Sequence, residues 1–212
     1  MYMATVVAST IADIMKARSS VRAYQKGKTI PKETLRGILE LAGTAPSAWN
    51  LQHWKFIVVQ NEERKQRLLP IAYGQKQVAD ASAVVIVLGD TQANKNAEKA
   101  YAGAVEAGYM TQEAKNTLFN NINQAYARGP ELGVHEAIRN AAFAAMQFML
   151  AAKSFGLDTC PMGGYDPVAL RKELNIPERY TPILMMSLGY AEKPAHETGR
   201  FSVDDILVEE TF

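Results

Sequence analysis

The sequence predicts an α+β fold. Three observations carry this prediction. Apolar residues recur at helical spacing in several stretches, while short apolar runs between them suit strands. The run Ala83–Leu88 is apolar at every position, as expected of a strand covered on both faces. No internal repeat and no Pro/Ser-rich linker divides the 212 residues, so residues 1–212 read as one domain.

Taken in order, Ile11, Ile14, Met15 and Arg18 fall at helical spacing, with Thr10-x-x-Asp13 as a capping box. A second helix is signalled by Pro31 near its start, by Leu35, Ile38, Leu39 and Ala42 on one stripe, and by Gly43 after it. The turn-rich stretch Thr44–Asn50 leads into a strand at Trp54–Val59. Residues from about 93 to 128 have helical composition but a weak apolar stripe, which predicts helices lying over the core. Gly129-Pro130 breaks them. A long helix follows from about His135 to Phe155, with Ile138, Ala141, Ala142, Ala145, Met146 and Met149 facing inward and Gly156 ending it. Asp166-Pro167 opens a short helix with Asp as N-cap and Pro at N1. Pro182–Leu188 reads as a further strand, and the 196–212 tail has strand potential at Ile206–Val208.

Composition excludes several classes of function. With 48% hydrophobic residues and a net charge of +1, the chain is not a disordered one. The balance of 23 Lys and Arg against 22 Asp and Glu lacks the basic surplus that nucleic-acid binding needs. The lone Cys160 rules out an internal disulfide and a Cys-based zinc cage. No apolar run approaches the roughly 20 residues that span a bilayer. Met1–Ala12 lacks a cationic stretch followed by an apolar one, so no cleaved signal is expected. A soluble, cytoplasmic protein is the expectation.

Familiar catalytic signatures are missing. There is no G-x-G-x-x-G or P-loop motif, and His53, His135 and His196 show no metal-ligand spacing. What remains is a set of polar clusters at the ends of elements. Arg18-Ser19-Ser20-Val21-Arg22 places two guanidiniums four positions apart around two hydroxyls, a pattern suited to a phosphate dianion. Alone, it equally fits a solvated helix end. Pro46-Ser47-Ala48-Trp49-Asn50-Leu51-Gln52-His53-Trp54 offers amides and a hydroxyl to a flat heterocycle, or is simply a turn. Cys160-Pro161-Met162-Gly163-Gly164 brings two glycines after a strand, for close approach of backbone to a ligand or for a tight turn. Arg200 by composition is a surface arginine.

Together and in this order, these clusters resemble the flavin-dependent nitroreductase family. Arg18–Arg22 matches its early basic corner. Pro46, Ser47, Asn50, Gln52 and Trp54 match a Pro-Ser-x-x-Asn-x-Gln-x-Trp loop. Gly156-Leu-Asp158 with Pro161-Met-Gly-Gly164 matches a third segment, and Gly189-Tyr190 with Arg200 a fourth.

The resemblance implies a nitroreductase-like fold, with a central mixed or antiparallel sheet flanked by helices, and an intertwined homodimer holding FMN at the subunit interface. Arg18, Ser19, Ser20, Arg22 and Arg200 would hold the phosphate and ribityl end. Pro46, Ser47, Ala48, Asn50 and Gln52 would lie along the ring, supplied by the partner subunit. Gln75, Gln77 and Asn140 match polar positions near the ring or ribityl chain, and Pro161, Met162, Gly163 and Gly164 would border the reactive flavin edge. One departure is Thr198, where relatives often carry Lys. The implied activity is ping-pong hydride transfer from NADH or NADPH to a small acceptor such as a nitroaromatic or quinone, with no catalytic side chain, no metal, no nucleic acid and no membrane. The 93–128 excursion would overhang the flavin and the 196–212 tail reach the partner. The alternatives in the same fold are flavin-fragmenting, dehalogenating or enoate-reducing enzymes and a non-catalytic flavin binder.

Overall fold

In the computed structural model, which describes residues 10–212, four strands form one sheet: β1 (Trp54–Val59), β2 (Ala83–Asp90), β3 (Asp158–Met162) and β4 (Tyr180–Gly189). Their order is β1-β2-β4-β3 and every pairing is antiparallel, so of the two sheet types expected the antiparallel one is present. Most of the Met1–Ala12 segment lies outside the described residues.

β2 is buried at all eight positions, and alternate side chains feed two cores. Ala83, Val85 and Val87 face a core shared with α2 (Lys32–Ala42) and α7 (Pro130–Ser154). Val84, Ile86 and Leu88 face a second core, which holds Leu68 of α3 (Glu62–Ile71), Val78 of α4 (Gln77–Asp80) and Leu170 of α8 (Pro167–Glu173). The result is a sheet with helices on both faces, which is why its central strand is apolar throughout.

The first helix, α1 (Ile11–Ala17), carries the expected capping box, with Asp13 N donating to Thr10 Oγ1 at 3.2 Å. α7 starts at Pro130 rather than His135, because Pro at the first helical position follows Gly129 directly. It ends as expected. Gly156 is left-handed at φ 74°, and the N–H groups of Leu157 and Gly156 donate to the carbonyls of Ala152 and Lys153. The inward stripe is Gly133, Ala137, Ala141, Ala144, Ala145 and Phe148; of the residues expected inside, Ile138, Ala142 and Met146 are exposed instead. Small residues are required because the helix lies directly on β2. A β-carbon at Gly89 would stand 2.8 Å from the Ala137 carbonyl oxygen, and one at Gly133 would overlap the Thr91 carbonyl oxygen. Gly133→Ala should therefore cost about 1–3 kcal/mol, read as a lower urea midpoint with unchanged slope.

Two helices, α3 and α4, are not signalled in the sequence. α3 and α4 bury few apolar side chains, and β3 contains Pro161, tolerated because β3 is an edge strand. Between β2 and α7 lie a 3-10 turn at Ala93–Asn96, α5 (Ala97–Ala100) and α6 (Gln112–Tyr126), the expected helical excursion. The tail departs from expectation. Ile206 ends a one-turn helix, α9 (Val203–Ile206), set by a Ser202/Asp205 capping box, and no strand forms at Ile206–Val208. Every residue from 196 to 212 is exposed, including Phe201, Val203, Ile206, Leu207, Val208 and Phe212.

Candidate functional site

The edge of β3 is covered by the segment that follows α1. Ser20 forms a parallel bridge to Thr159, and Val21 N donates to the Thr159 carbonyl at 3.1 Å. Covering an open strand edge holds the Arg18–Arg22 corner in place. Arg18 closes α1, its N–H donating to the Ile14 carbonyl. The Arg22 charge reaches the Cys160 thiol and favours its ionised form. Burial outweighs that and pushes the thiol's pKa up, so Cys160 stays a neutral thiol packed in the core.

Arg18 and Arg200, separated by nearly the whole chain, line one cleft of about 620 Å³ together with Ser19, Lys16, Thr198 and Met146. Glu197 also lines it but forms no ion pair with either guanidinium. Among the described residues, Arg18, Arg22 and Arg200 pair with no carboxylate at all. Arg200 is oriented by its own tail: Nη1 donates to Thr198 Oγ1 at 2.9 Å and to the Gly199 carbonyl at 2.8 Å. Thr198, where a lysine was expected, thus aims the neighbouring cation instead of adding one.

At the other end of β3 stand the two glycines. Gln75 Nε2 donates to the Gly164 carbonyl at 2.8 Å, and Gln77 Nε2 donates to Gln75 Oε1 at 3.2 Å and to Met162 Sδ at 3.3 Å. Gln77 is buried while Gly163 and Gly164 are exposed. Gln75, Gln77 and the Pro161–Gly164 segment therefore form one cluster, joined to the arginine corner by β3 itself.

The Pro46–Gln52 loop is a third group. Ser47 Oγ accepts from Gln52 N at 2.9 Å, and Asn140 Oδ1, on α7, accepts from Ala48 N at 2.8 Å. Asn140 also donates to Glu136, so its amide is a brace for the loop. Trp49, Asn50 and Gln52 all have φ near +50°, a region that non-glycine residues enter at about 1–3 kcal/mol each. Bonds from the excursion hold this turn: Tyr101 Oη donates to the Trp49 carbonyl at 3.0 Å and Asn96 Nδ2 to the Leu51 carbonyl at 2.9 Å. Among the described residues no hydrogen bond joins this loop to the arginine corner. Pro46 instead lines an apolar groove of about 530 Å³ with Ile11, Ile14, Leu41, Phe143 and Leu150, and Met146 borders both this groove and the arginine cleft.

Sequence reasoning missed two side-chain groups here. His53, fully buried, shares a 3.0 Å hydrogen bond between its Nε2 and the Tyr126 hydroxyl, while its Nδ1 has no partner. Burial lowers the pKa of this imidazole and keeps it neutral, against the opposing pull of Glu136 and Asp90. Asp90, also buried, receives Arg179 Nε at 2.7 Å and Nη2 at 2.6 Å, and Asn96 Nδ2 at 3.2 Å. No sequence motif links residues 90, 96 and 179.

Chemically, one end of the site offers unpaired guanidiniums and hydroxyls for a phosphate. The other offers backbone and amide donors at a glycine-lined edge suited to a flat ring. Both ends fit FMN.

The chain is similar to several known proteins. The Nitroreductase family profile matches residues 15–190. A Bacillus subtilis protein named "Putative NAD(P)H nitroreductase YodC" is 47% identical over 194 residues, covering 92% of this chain and 96% of that one. The "CLA biosynthesis enone reductase" of Lactiplantibacillus plantarum is 30% identical over 91% of both chains. A crystal structure of an Exiguobacterium sibiricum nitroreductase in complex with FMN superposes with a TM-score of 0.89 at 34% identity, over 96% of this chain and 98% of the other. The chain belongs to the nitroreductase family.

Proposed function

We propose that this chain is a homodimeric, FMN-dependent oxidoreductase that draws on NADH or NADPH to reduce nitroaromatics, quinones or related acceptors. One observation carries the reading: Arg18 and Arg200 converge on a single cleft with no carboxylate to neutralise them. FMN, when bound, supplies the redox chemistry, accepting hydride from the nicotinamide and passing electrons to the acceptor. The protein's residues bind and orient it. Arg18, Arg22 and Arg200 bring permanent positive charge to the phosphate and ribityl end, and Ser19 and Ser20 bring hydroxyls. Gln75 and Gln77 fix the Met162–Gly164 backbone, whose exposed glycines let a ring approach without a side chain between.

The second subunit is supported by what one copy leaves uncovered. The groove around Phe143 and Leu150 and the apolar tail beyond residue 196 are the exposed patches that a stable partner buries. Met146 lies on both the groove and the cleft, so a two-fold partner covering the groove brings its own Pro46–Gln52 loop toward this copy's cleft. That accounts for the lack, among the described residues, of a hydrogen bond joining the two within one copy.

Arg18→Ala should weaken FMN binding by about 1.5–3 kcal/mol, roughly 10- to 150-fold in Kd. Flavin titration of the apoprotein measures this, and an unchanged Kd overturns the phosphate assignment. Anaerobic bleaching of the yellow protein by NADH or NADPH separates a reductase from a flavin store. A second reading, reduction of enones, is favoured by the likeness to the enone reductase above; an acceptor panel of nitroaromatics, quinones and enones ranks the two.

A further inference from the structure

Helix α6 is loosely backed. Behind its C-terminal end a cavity of about 490 Å³ separates it from the start of α7, lined by Asn123, Tyr126, Gly129, Pro130 and Gly133. Gly129, between the two helices, has φ 149° and ψ 164°, a conformation open essentially to glycine alone. A glycine joint and an adjoining cavity thus stand beside the C-terminal end of α6. Its ion pair Lys115–Glu98 and its Asn94–Asn123 hydrogen bond tie α6 only to the segment preceding it. Among the described residues, the one side-chain hydrogen bond from α6 to the sheet-bearing body is that of Tyr126 to His53. His53 stands directly after the Trp49–Gln52 turn, and its carbonyl is pinned to β2 by Asp90 N at 2.7 Å. On the α6 side, Tyr126 packs at 6.5 Å from the Trp49 ring, and Phe119 and Ile122 join Leu51 and Ala93 in a small core.

We propose that His53 is a positioning residue, its Nε2 latching α6 through the Tyr126 hydroxyl against the Trp49–Gln52 turn and so setting which acceptors enter. The specificity half of this rests on the proposed function above, with the flavin beside that turn. The latch itself is a property of this chain's own side chains. A buried imidazole left with an unpaired Nδ1 is costly, and so is a buried polar nitrogen retained only for packing. Placed at the C-terminal end of α6, three residues before Gly129, this bond holds that end of the helix against the turn.

Hydrogen exchange of the full-length protein tests the latch without reference to the cofactor. Tyr126→Phe keeps the ring and removes the hydroxyl. It should speed exchange across residues 112–126 by roughly 2- to 10-fold, the range of one net hydrogen bond, while the sheet stays protected. His53→Leu should do the same. His53→Gln, whose amide reaches the place of Nε2, should restore the slow exchange. In turnover, the ratio of kcat/KM for a two-ring quinone to that for a one-ring quinone should rise in Tyr126→Phe and return in His53→Gln. Exchange over 112–126 unchanged in Tyr126→Phe, or accelerated equally in the sheet, overturns the latch. An unchanged ratio overturns the control of acceptor entry.

Discussion

Cut after Gly199, the chain is expected to become a colourless monomer. Two losses are combined in that variant, and a second variant separates them. The removed segment carries Phe201, Val203, Ile206, Leu207, Val208 and Phe212, all exposed in a single copy. Each such side chain gains about 1.5–3 kcal/mol on full burial, so a tail seated on a partner, as proposed, would be a dominant part of the dimer's cohesion. Its removal should weaken dimerisation at least 100-fold, seen by sedimentation at micromolar concentration. Arg200→Ala in the full chain removes only the cation. That variant should remain dimeric and lose about 10-fold or more in FMN affinity, since a charge-assisted hydrogen bond contributes about 1.5–3 kcal/mol. A truncated chain that sediments as a tight, flavin-loaded dimer overturns the role given to the tail.

Asp90→Ala should be among the most damaging single substitutions in the core. The Asp90 carboxylate is 1% exposed and accepts from Nε and Nη2 on one edge of the Arg179 guanidinium, from the Asn96 amide and from the Gln92 N–H. Its hydrogen bond also raises the pKa of Arg179, tightening the pair. Removing one member of a buried pair leaves the other charge uncompensated, at about 3–5 kcal/mol. For a chain of this size that corresponds to a fall in Tm of roughly 10 °C. The damage reaches the site, because Asn96, which donates to both Asp90 and the Leu51 carbonyl, loses its anchor beneath the strained turn. Arg179→Ala should cost a similar amount, and the double variant much less than the sum, since both remove one interaction. Additive costs in that cycle contradict the network.

Much of the frame was legible from local pattern. The Thr10/Asp13 box, the start of α8 at Asp166-Pro167, the Gly156 ending and the doubly buried β2 each follow from chemistry within a few residues. α7 shows where such reading stops. Its helical period is plain, but periodicity does not tell a side chain facing the core from one facing another molecule. Ile138, Phe143 and Met146 are exposed in the single copy. α3 was hidden because half of Glu62–Ile71 is charged, and one of its two buried residues is Lys65, whose Nζ donates to the Ala81 carbonyl at 2.5 Å. In the site, the motifs named the arginine corner, the loop and the glycine pair, and the structure brings Arg18 to Arg200 and Gln75 to Gly164. The Asp90–Arg179–Asn96 network and the His53–Tyr126 bond join residues far apart in sequence, so no local spacing announces them. The left-handed turn was equally silent, since Trp49 and Gln52 adopt it only because Asn140, Asn96 and Tyr101 hold it there.

The anion cleft has a consequence for how the molecule is made. Its two arginines at positions 18 and 200 stand 200 − 18 = 182 residues apart in the order of synthesis. A ribosome that has produced the first corner, the whole sheet and α7 has still not delivered the second cation. If both arginines grip the nucleotide as proposed, the sheet and α7 are made before that grip is complete, so their architecture would rest on apolar packing and the prosthetic group would enter late. Cells short of riboflavin should accordingly accumulate folded, empty protein rather than degraded fragments.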